Sequence, residues 1–160
     1  MKYLKIQQDL LKAADARDGW KHRPFNVPWF ETDDRVFVCP EGLWMMGIFK
    51  HHFFLDISKV FKDASPLASG EQFLKSGQDT KPAKDTHIIM DVVEHNKKMK
   101  LHKFTVDDEP VYVQEDFLKY FEMDYSRFTG TNSKSPLYVW ENDNIVGLIM
   151  PVNHKEKGEE

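Results

Sequence analysis

The order of elements along this chain constrains its fold more than any other feature. Short runs rich in Val, Ile, Phe, Trp and Tyr, separated by Asp, Asn, Gly and Pro, fill most of the sequence, and helical periodicity shows at only a few points. Residues 1–6 read as a short strand, and Leu10, Leu11, Ala13 and Ala14 then form the apolar stripe of a helix that Gly19 ends. Strand-like runs follow at residues 27–32, 35–39 and 43–49, divided by Asp33-Asp34 and Pro40-Glu41-Gly42, both of which are turn chemistry. The far end repeats this order. Val111-Tyr112-Val113 is a strand, and residues 115–122 are a helix with Phe117, Leu118 and Phe121 on one face. Strands then fall at 126–130, 136–140 and 145–151, with Glu141-Asn142-Asp143-Asn144 turning between the last two. Both ends therefore run strand, helix, strand, strand, strand. The repeat rests on element order, because the halves share no evident sequence identity.

The two copies are separated by an insertion at about 55–106. Its first part is weakly patterned, and residues 64–84, rich in Ser, Gly, Lys and Pro, are expected to form a mobile loop. Its second part predicts a hairpin, with strands at 86–93 and 98–106 around His95-Asn96-Lys97. The run Leu43-Trp44-Met45-Met46-Gly47-Ile48-Phe49 is apolar on both alternating faces, as in a strand covered on both sides or an edge that meets a partner. A charged tail at 154–160 is expected to be disordered. The expectation is a single α+β domain over residues 1–153 of the 160.

Composition removes several function classes. With 22 Lys and Arg against 26 Asp and Glu, the net charge of −4 excludes a globally basic nucleic-acid binder of the histone type. Cys39 is the only cysteine, so there is no intramolecular disulfide framework and no cysteine-based zinc site. Residues 1–9 lack the apolar stretch of a signal peptide, and no segment reaches the roughly 18 apolar residues of a membrane helix, so a cytoplasmic protein without membrane contact is expected.

The doubled unit resembles the domain architecture of the DNA sliding-clamp family, the DNA polymerase III beta subunit-like proteins. Met1-Lys2-Tyr3-Leu4-Lys5-Ile6 followed by Asp9-Leu10-Leu11-Lys12-Ala13-Ala14 is similar to the start of bacterial clamp subunits, and Arg23-Pro24 before a strand and a hairpin at Asp33-Asp34 is similar to the region after it. Val111-Tyr112-Val113-Gln114-Glu115-Asp116-Phe117-Leu118 resembles the late strand-to-helix step, and Leu148-Ile149-Met150-Pro151-Val152 the closing strand. The resemblance implies a DNA-clamp-like fold: two strand-helix-strand-strand-strand halves, with their two helices packed on one face of antiparallel sheets. Two departures stand beside it. Clamp subunits carry two or three such domains and this chain has one, and Cys39-Pro40-Glu41-Gly42 replaces the family's usual Thr-Asp segment. A free-standing domain must assemble with other copies to encircle DNA, and would suit a phage or mobile element.

The resemblance implies a non-enzymatic replication accessory whose partners are further copies of itself, double-stranded DNA and a replication-protein peptide. Helices line the DNA channel in that family, so the matching DNA-facing candidates are Lys5, Lys12, Arg17, Lys21 and Arg23, within a stretch holding six basic residues against three acidic over 1–30. Their plain reading is a solvated ion-pair ladder, since Lys5, Asp9 and Lys12 share a helix face. The second helix region is acidic, with Glu115, Asp116, Glu122 and Asp124 around Lys119. Met150, Pro151 and Val152 correspond to part of a peptide-binding pocket, or to a terminal strand packed in the core. A different class of function is an α+β protein–protein interaction module without a DNA role, presenting Trp44-Met45-Met46.

The remaining candidates have simple structural explanations. Lys98, Lys100 and His102 would share the solvent face of a strand and protect its edge from unwanted pairing. His51 and His52 would point to opposite faces and not converge on a metal. Phosphate loops, nucleophile elbows and dinucleotide fingerprints are missing from the sequence, and no cofactor or catalytic residue is expected.

Overall fold

The computed structural model describes residues 1–15, 29–31, 35–38, 45–49, 52, 70–94 and 96–156. Their order is α1 (Tyr3–Asp15), β1 (Trp29–Glu31), β2 (Arg35–Val38), β3 (Met45–Phe49), α2 (Gly70–Gln78), β4 (Lys81–Pro82), β5 (Lys84–Glu94), β6 (Lys97–Val106), β7 (Glu109–Gln114), α3 (Glu115–Leu118), β8 (Ser126–Gly130), β9 (Leu137–Glu141) and β10 (Asn144–Ile149). The protein is α+β with two antiparallel sheets, one ordered β1-β2-β3-β10-β9-β8-β4 and one ordered β5-β6-β7.

Asn and Asp residues build the tight hairpins. Asn96 lies at φ 64 between Glu94 and Lys97, Asp107 and Asp108 at φ 49 and 65 between Val106 and Glu109, and Asn142 at φ 53 between Glu141 and Asn144. Each loop has two residues, and left-handed backbone there matches the twist of the strands it joins.

Period-two alternation sends the side chains of β9 to two separate cores. Leu137 and Val139 of β9 join Phe104, Val106, Val111 and Val113 of the small sheet, with Ile6 of α1, Leu118 of α3 and Phe121. Tyr138 and Trp140 point the other way and pack with Ile145, Leu148, Phe73, Leu74 and Met150 under α2. A register shift between Ile145 and Gly147 places Ile145 and Leu148 on one face although they are three residues apart. The α2 helix seats tightly because Gly77 has no side chain: a Cβ there would come within 2.4 Å of Ile145 Cδ1 and 2.8 Å of Tyr138 Cδ1.

The hairpin of the insertion and the last three strands form as the sequence predicts, and the structure corrects three expectations. Residues 1–6 are not a strand: α1 begins at Tyr3, the Ile6 amide donates to Lys2 O at 3.1 Å, and Tyr3, Ile6 and Gln7 turn inward at helical spacing. Leu11, which the sequence places in the apolar stripe, is 43% exposed. The loop expected over 64–84 contains α2 and β4, because Phe73 and Leu74 bury against β9 and β10. The late helix is a single turn: the amides of Tyr120 and Phe121 bond back three residues, to Phe117 and Leu118, and end it. Of the tail at 154–160, residues 157–160 lie outside the described residues, and Glu156 accepts from Lys103 Nζ at 2.8 Å and from the Tyr112 hydroxyl at 2.5 Å.

The first half therefore lacks its opening strand. The start of the chain meets the segment after α3: Lys2 N–H donates to Tyr120 O at 2.8 Å, and the Tyr120 hydroxyl donates to Asp9 Oδ2 at 2.9 Å. Burial, then the Asp9 carboxylate, push the Tyr120 phenol above its ordinary range. Strands of both halves share one sheet, with β3 paired to β10, whereas β7 belongs with the inserted hairpin.

Candidate functional site

The small sheet ends at an open strand. β5 pairs with β6 along one side, and among the described residues no strand pairs with its other side. The hairpin closes with Glu94 opposite Lys97 across a two-residue turn, a pair that exchanges both backbone hydrogen bonds in this turn class. Alternation then aims the backbone groups of Ile88, Met90, Val92 and Glu94 at β6, and those of Ile89, Asp91 and Val93 at the open side. Three aliphatic side chains along this stretch are exposed: Ile88 is 47%, Ile89 50% and Val93 66% accessible. An exposed apolar edge strand offers both unpaired backbone groups and hydrophobic surface to another strand.

A bulge limits that edge at its start. Pairing runs from Asp85↔Phe104 directly to Ile88↔Lys103, so Thr86 and His87 are extra residues. His87 adopts φ 57, and its amide donates to Asp85 Oδ1 at 2.7 Å. The Thr86 hydroxyl bonds to Lys103 O at 2.6 Å, which fastens the bulge to β6.

Beneath the bulge lies a charged clamp. His102 of β6 is buried, with Nε2 2.6 Å from Asp85 Oδ1 and Nδ1 2.7 Å from Glu115 Oε2 at the start of α3. Burial raises the Asp85 carboxyl, but hydrogen bonds from His102 and the His87 amide outweigh it and hold that carboxyl below the ordinary aspartate value. Each ring nitrogen of His102 thus faces one carboxylate oxygen, so the imidazole bridges the two acidic side chains. The clamp joins β5, β6 and α3 through one side chain. Its ring nitrogens are both engaged, one by each carboxylate, and so tie the start of the bulge to α3.

No family model, no curated protein and no solved structure matches this chain.

The residues singled out in the sequence fall elsewhere. Lys5 lies 3.7 Å from Asp9 in an i,i+4 pair, as the ladder reading expects, and Lys12 is exposed near the end of α1. Arg17, Lys21 and Arg23 lie outside the described residues, as do Trp44, His51 and Cys39. Met150 packs under α2 with the second core, Pro151 is half-buried, and the Val152 amide donates to Tyr112 O at 2.7 Å, so this segment crosses from the large sheet to the small one. No hydrogen bond or ion pair among the described residues joins Lys5 or Lys12 to this segment. Met45 and Met46 lie in an interior strand, with β2 on one side and β10 on the other, so this run is not a free edge. Among the described residues no cluster of His, Cys, Asp and Glu is placed to hold a metal ion, and no helix is long and apolar enough to cross a membrane.

His102 is the residue that sequence reasoning misplaced. Lys98 and Lys100 are exposed as expected, but the same face of β6 passes under the core at His102, Phe104 and Val106. The signal was available in the continuation: a face that ends on Phe104 and Val106 cannot be solvent-facing throughout.

Proposed function

We propose that this protein is a non-enzymatic interaction module that captures an extended strand of another chain along the open edge of β5. The observation that carries the reading is the stretch Ile88–Glu94, whose outer side no strand pairs with among the described residues and where Ile88, Ile89 and Val93 are exposed. Strand addition draws affinity from the main chain and selectivity from alternate side chains, and Lys98 and Lys100 on the neighbouring strand favour acidic residues in what binds. The Asp85–His102–Glu115 clamp holds the start of the edge fixed, which lowers the ordering cost of binding.

The test is titration of ten-residue peptides of varied sequence into isotope-labelled protein. The reading expects the amide signals of Ile89, Asp91 and Val93 to shift most, and Val93→Pro, which removes an outward N–H, to abolish binding. Peptides that bind equally well to Val93→Pro, or that never move these signals, refute it.

A sliding-clamp-type replication accessory is the second reading. It is favoured by one observation, that the meanders β1-β2-β3 and β8-β9-β10 meet through antiparallel β3 and β10, as two copies of one unit would. Topological retention on nicked circular double-stranded DNA, lost on linear DNA, supports it; equal behaviour on both forms counts against encirclement.

A further inference from the structure

We propose that the strand received by β5 is β5 of a second copy of this chain, laid antiparallel about a two-fold axis at Asp91, so that two three-stranded sheets join into one of six strands. The proposal rests on the reading of β5 as an open edge, and adds to it the partner and the register.

The symmetry of the strand selects the partner. The regular part of β5 is bounded by the bulge at Thr86 and His87 and by the turn after Glu94, and the middle residue of Ile88–Glu94 is Asp91. A two-fold axis through an antiparallel ladder must place one residue opposite its own copy, with outward-pointing residues meeting outward-pointing residues. With Asp91 on the axis, Ile89 meets Val93 of the second copy, Asp91 meets Asp91, and Val93 meets Ile89. Each of these is a hydrogen-bonded pair, and every outward backbone group from 89 to 93 is used.

Side chains agree with that register. Ile89 and Val93, the two exposed aliphatic residues on that face of β5, cover each other twice. Met90 faces Val92 on the opposite side of the sheet. Moving the axis to Met90 sets Ile89 against Asp91, and moving it to Val92 sets Val93 against Asp91, so either neighbouring register buries a carboxylate against an aliphatic side chain. Beside each Asp91 stands a positive charge, because Lys100 is its cross-strand neighbour within each copy. The central row across the joined sheet reads Lys100, Asp91, Asp91, Lys100, with two positive and two negative charges.

Light scattering and cysteine cross-linking test the register together. The unaltered chain is expected at twice the monomer mass at high concentration, and Val93→Pro and Ile89→Lys each return it to the monomer mass with far-UV circular dichroism unchanged. Hydrogen-bonded pairs set Cα atoms about 5.5 Å apart, inside the span a disulfide requires. In a Cys39→Ser background, Asp91→Cys therefore cross-links to a covalent dimer on oxidation, while Met90→Cys and Val92→Cys do not. A dimer indifferent to both edge variants, or cross-linking at 90 or 92 as strong as at 91, overturns the proposal. A monomer at all concentrations also overturns it. In that case, rapid exchange of the amides of Ile89, Asp91 and Val93 leaves the open edge standing, whereas protected amides refute the edge reading as well.

Discussion

Asp85 Oδ1 lies 2.6 Å from His102 Nε2, across the point where β5 gains two extra residues. The contact joins a half-buried carboxylate to a ring that is 6% exposed, and Glu115 closes the other side at 2.7 Å. His102→Leu leaves the two carboxylates without the ring that bridges them. Loss of a buried hydrogen-bonding partner costs about 1–3 kcal/mol, and the expected outcome is a fall in urea-unfolding stability of that size.

The same clamp predicts how stability responds to acid. The Asp85 carboxyl is held below its unfolded value, so its ionised form stabilises the fold above the ordinary aspartate pKa of about 3.9, and that contribution is lost as pH falls through the lower folded value. Urea midpoints measured from pH 7 downward should therefore decline in this acid range, and Asp85→Asn should show a shallower decline there than the unaltered chain.

A second polar chain lies under α2. Trp140 Nε1–H donates to the Thr129 hydroxyl at 2.8 Å, that hydroxyl lies 2.6 Å from Thr80 Oγ1, and Thr80 bonds to Gly77 O at 2.6 Å. With each group donating once, every member is satisfied. Thr129→Val has nearly the same shape but leaves the buried indole N–H unpaired, and is expected to cost about 1–3 kcal/mol in denaturant unfolding. Thr129→Ser, which keeps the hydroxyl, restores most of the loss.

Gly77 inverts a familiar rule. Gly→Ala inside a helix normally stabilises by about 0.5–1 kcal/mol. Here the added methyl would meet the stiff Tyr138 ring at 2.8 Å and Ile145 at 2.4 Å, and overpacking costs about 1–3 kcal/mol. Gly77→Ala is expected to lower the thermal midpoint, and Gly77→Ala with Ile145→Val to recover part of it.

The edge should behave in the opposite way. Ile89 and Val93 are exposed, so Ile89→Lys is expected to change monomer stability by no more than about 0.5 kcal/mol while it removes strand capture. A peptide titration beside a urea melt of the same variant separates the two effects.

Much of the fold was legible because its signals are local. Alternation in Leu137-Tyr138-Val139-Trp140 and the Asn142-Asp143 and Asn96 turns define the late strands and the hairpin within a few residues. The α1 start was not legible, because Tyr3, Leu4 and Ile6 suit a strand or a helix in so short a window, and the choice falls to burial against Leu118 and Phe121. Helix α2 was hidden by the Ser, Gly and Lys in its sequence, and its existence depends on Phe73 and Leu74 finding a distant strand. The site was less legible still. Asp85, His102 and Glu115 come from three elements, and nothing in their spacing shows that a bulge at Thr86 and His87 turns Asp85 toward the ring. That β5 lies at an edge is a property of sheet order, which no single strand records.

Amide hydrogen exchange across β5, followed over a dilution series, tests the central claim most directly. The open-edge account predicts that on dilution Met90 and Val92 stay protected by β6 while Ile89, Asp91 and Val93 exchange rapidly, with protection of the odd-numbered set returning only as concentration rises or a strand peptide is added. Equal protection of both sets at every dilution would mean that the chain covers β5 itself, and would contradict the account.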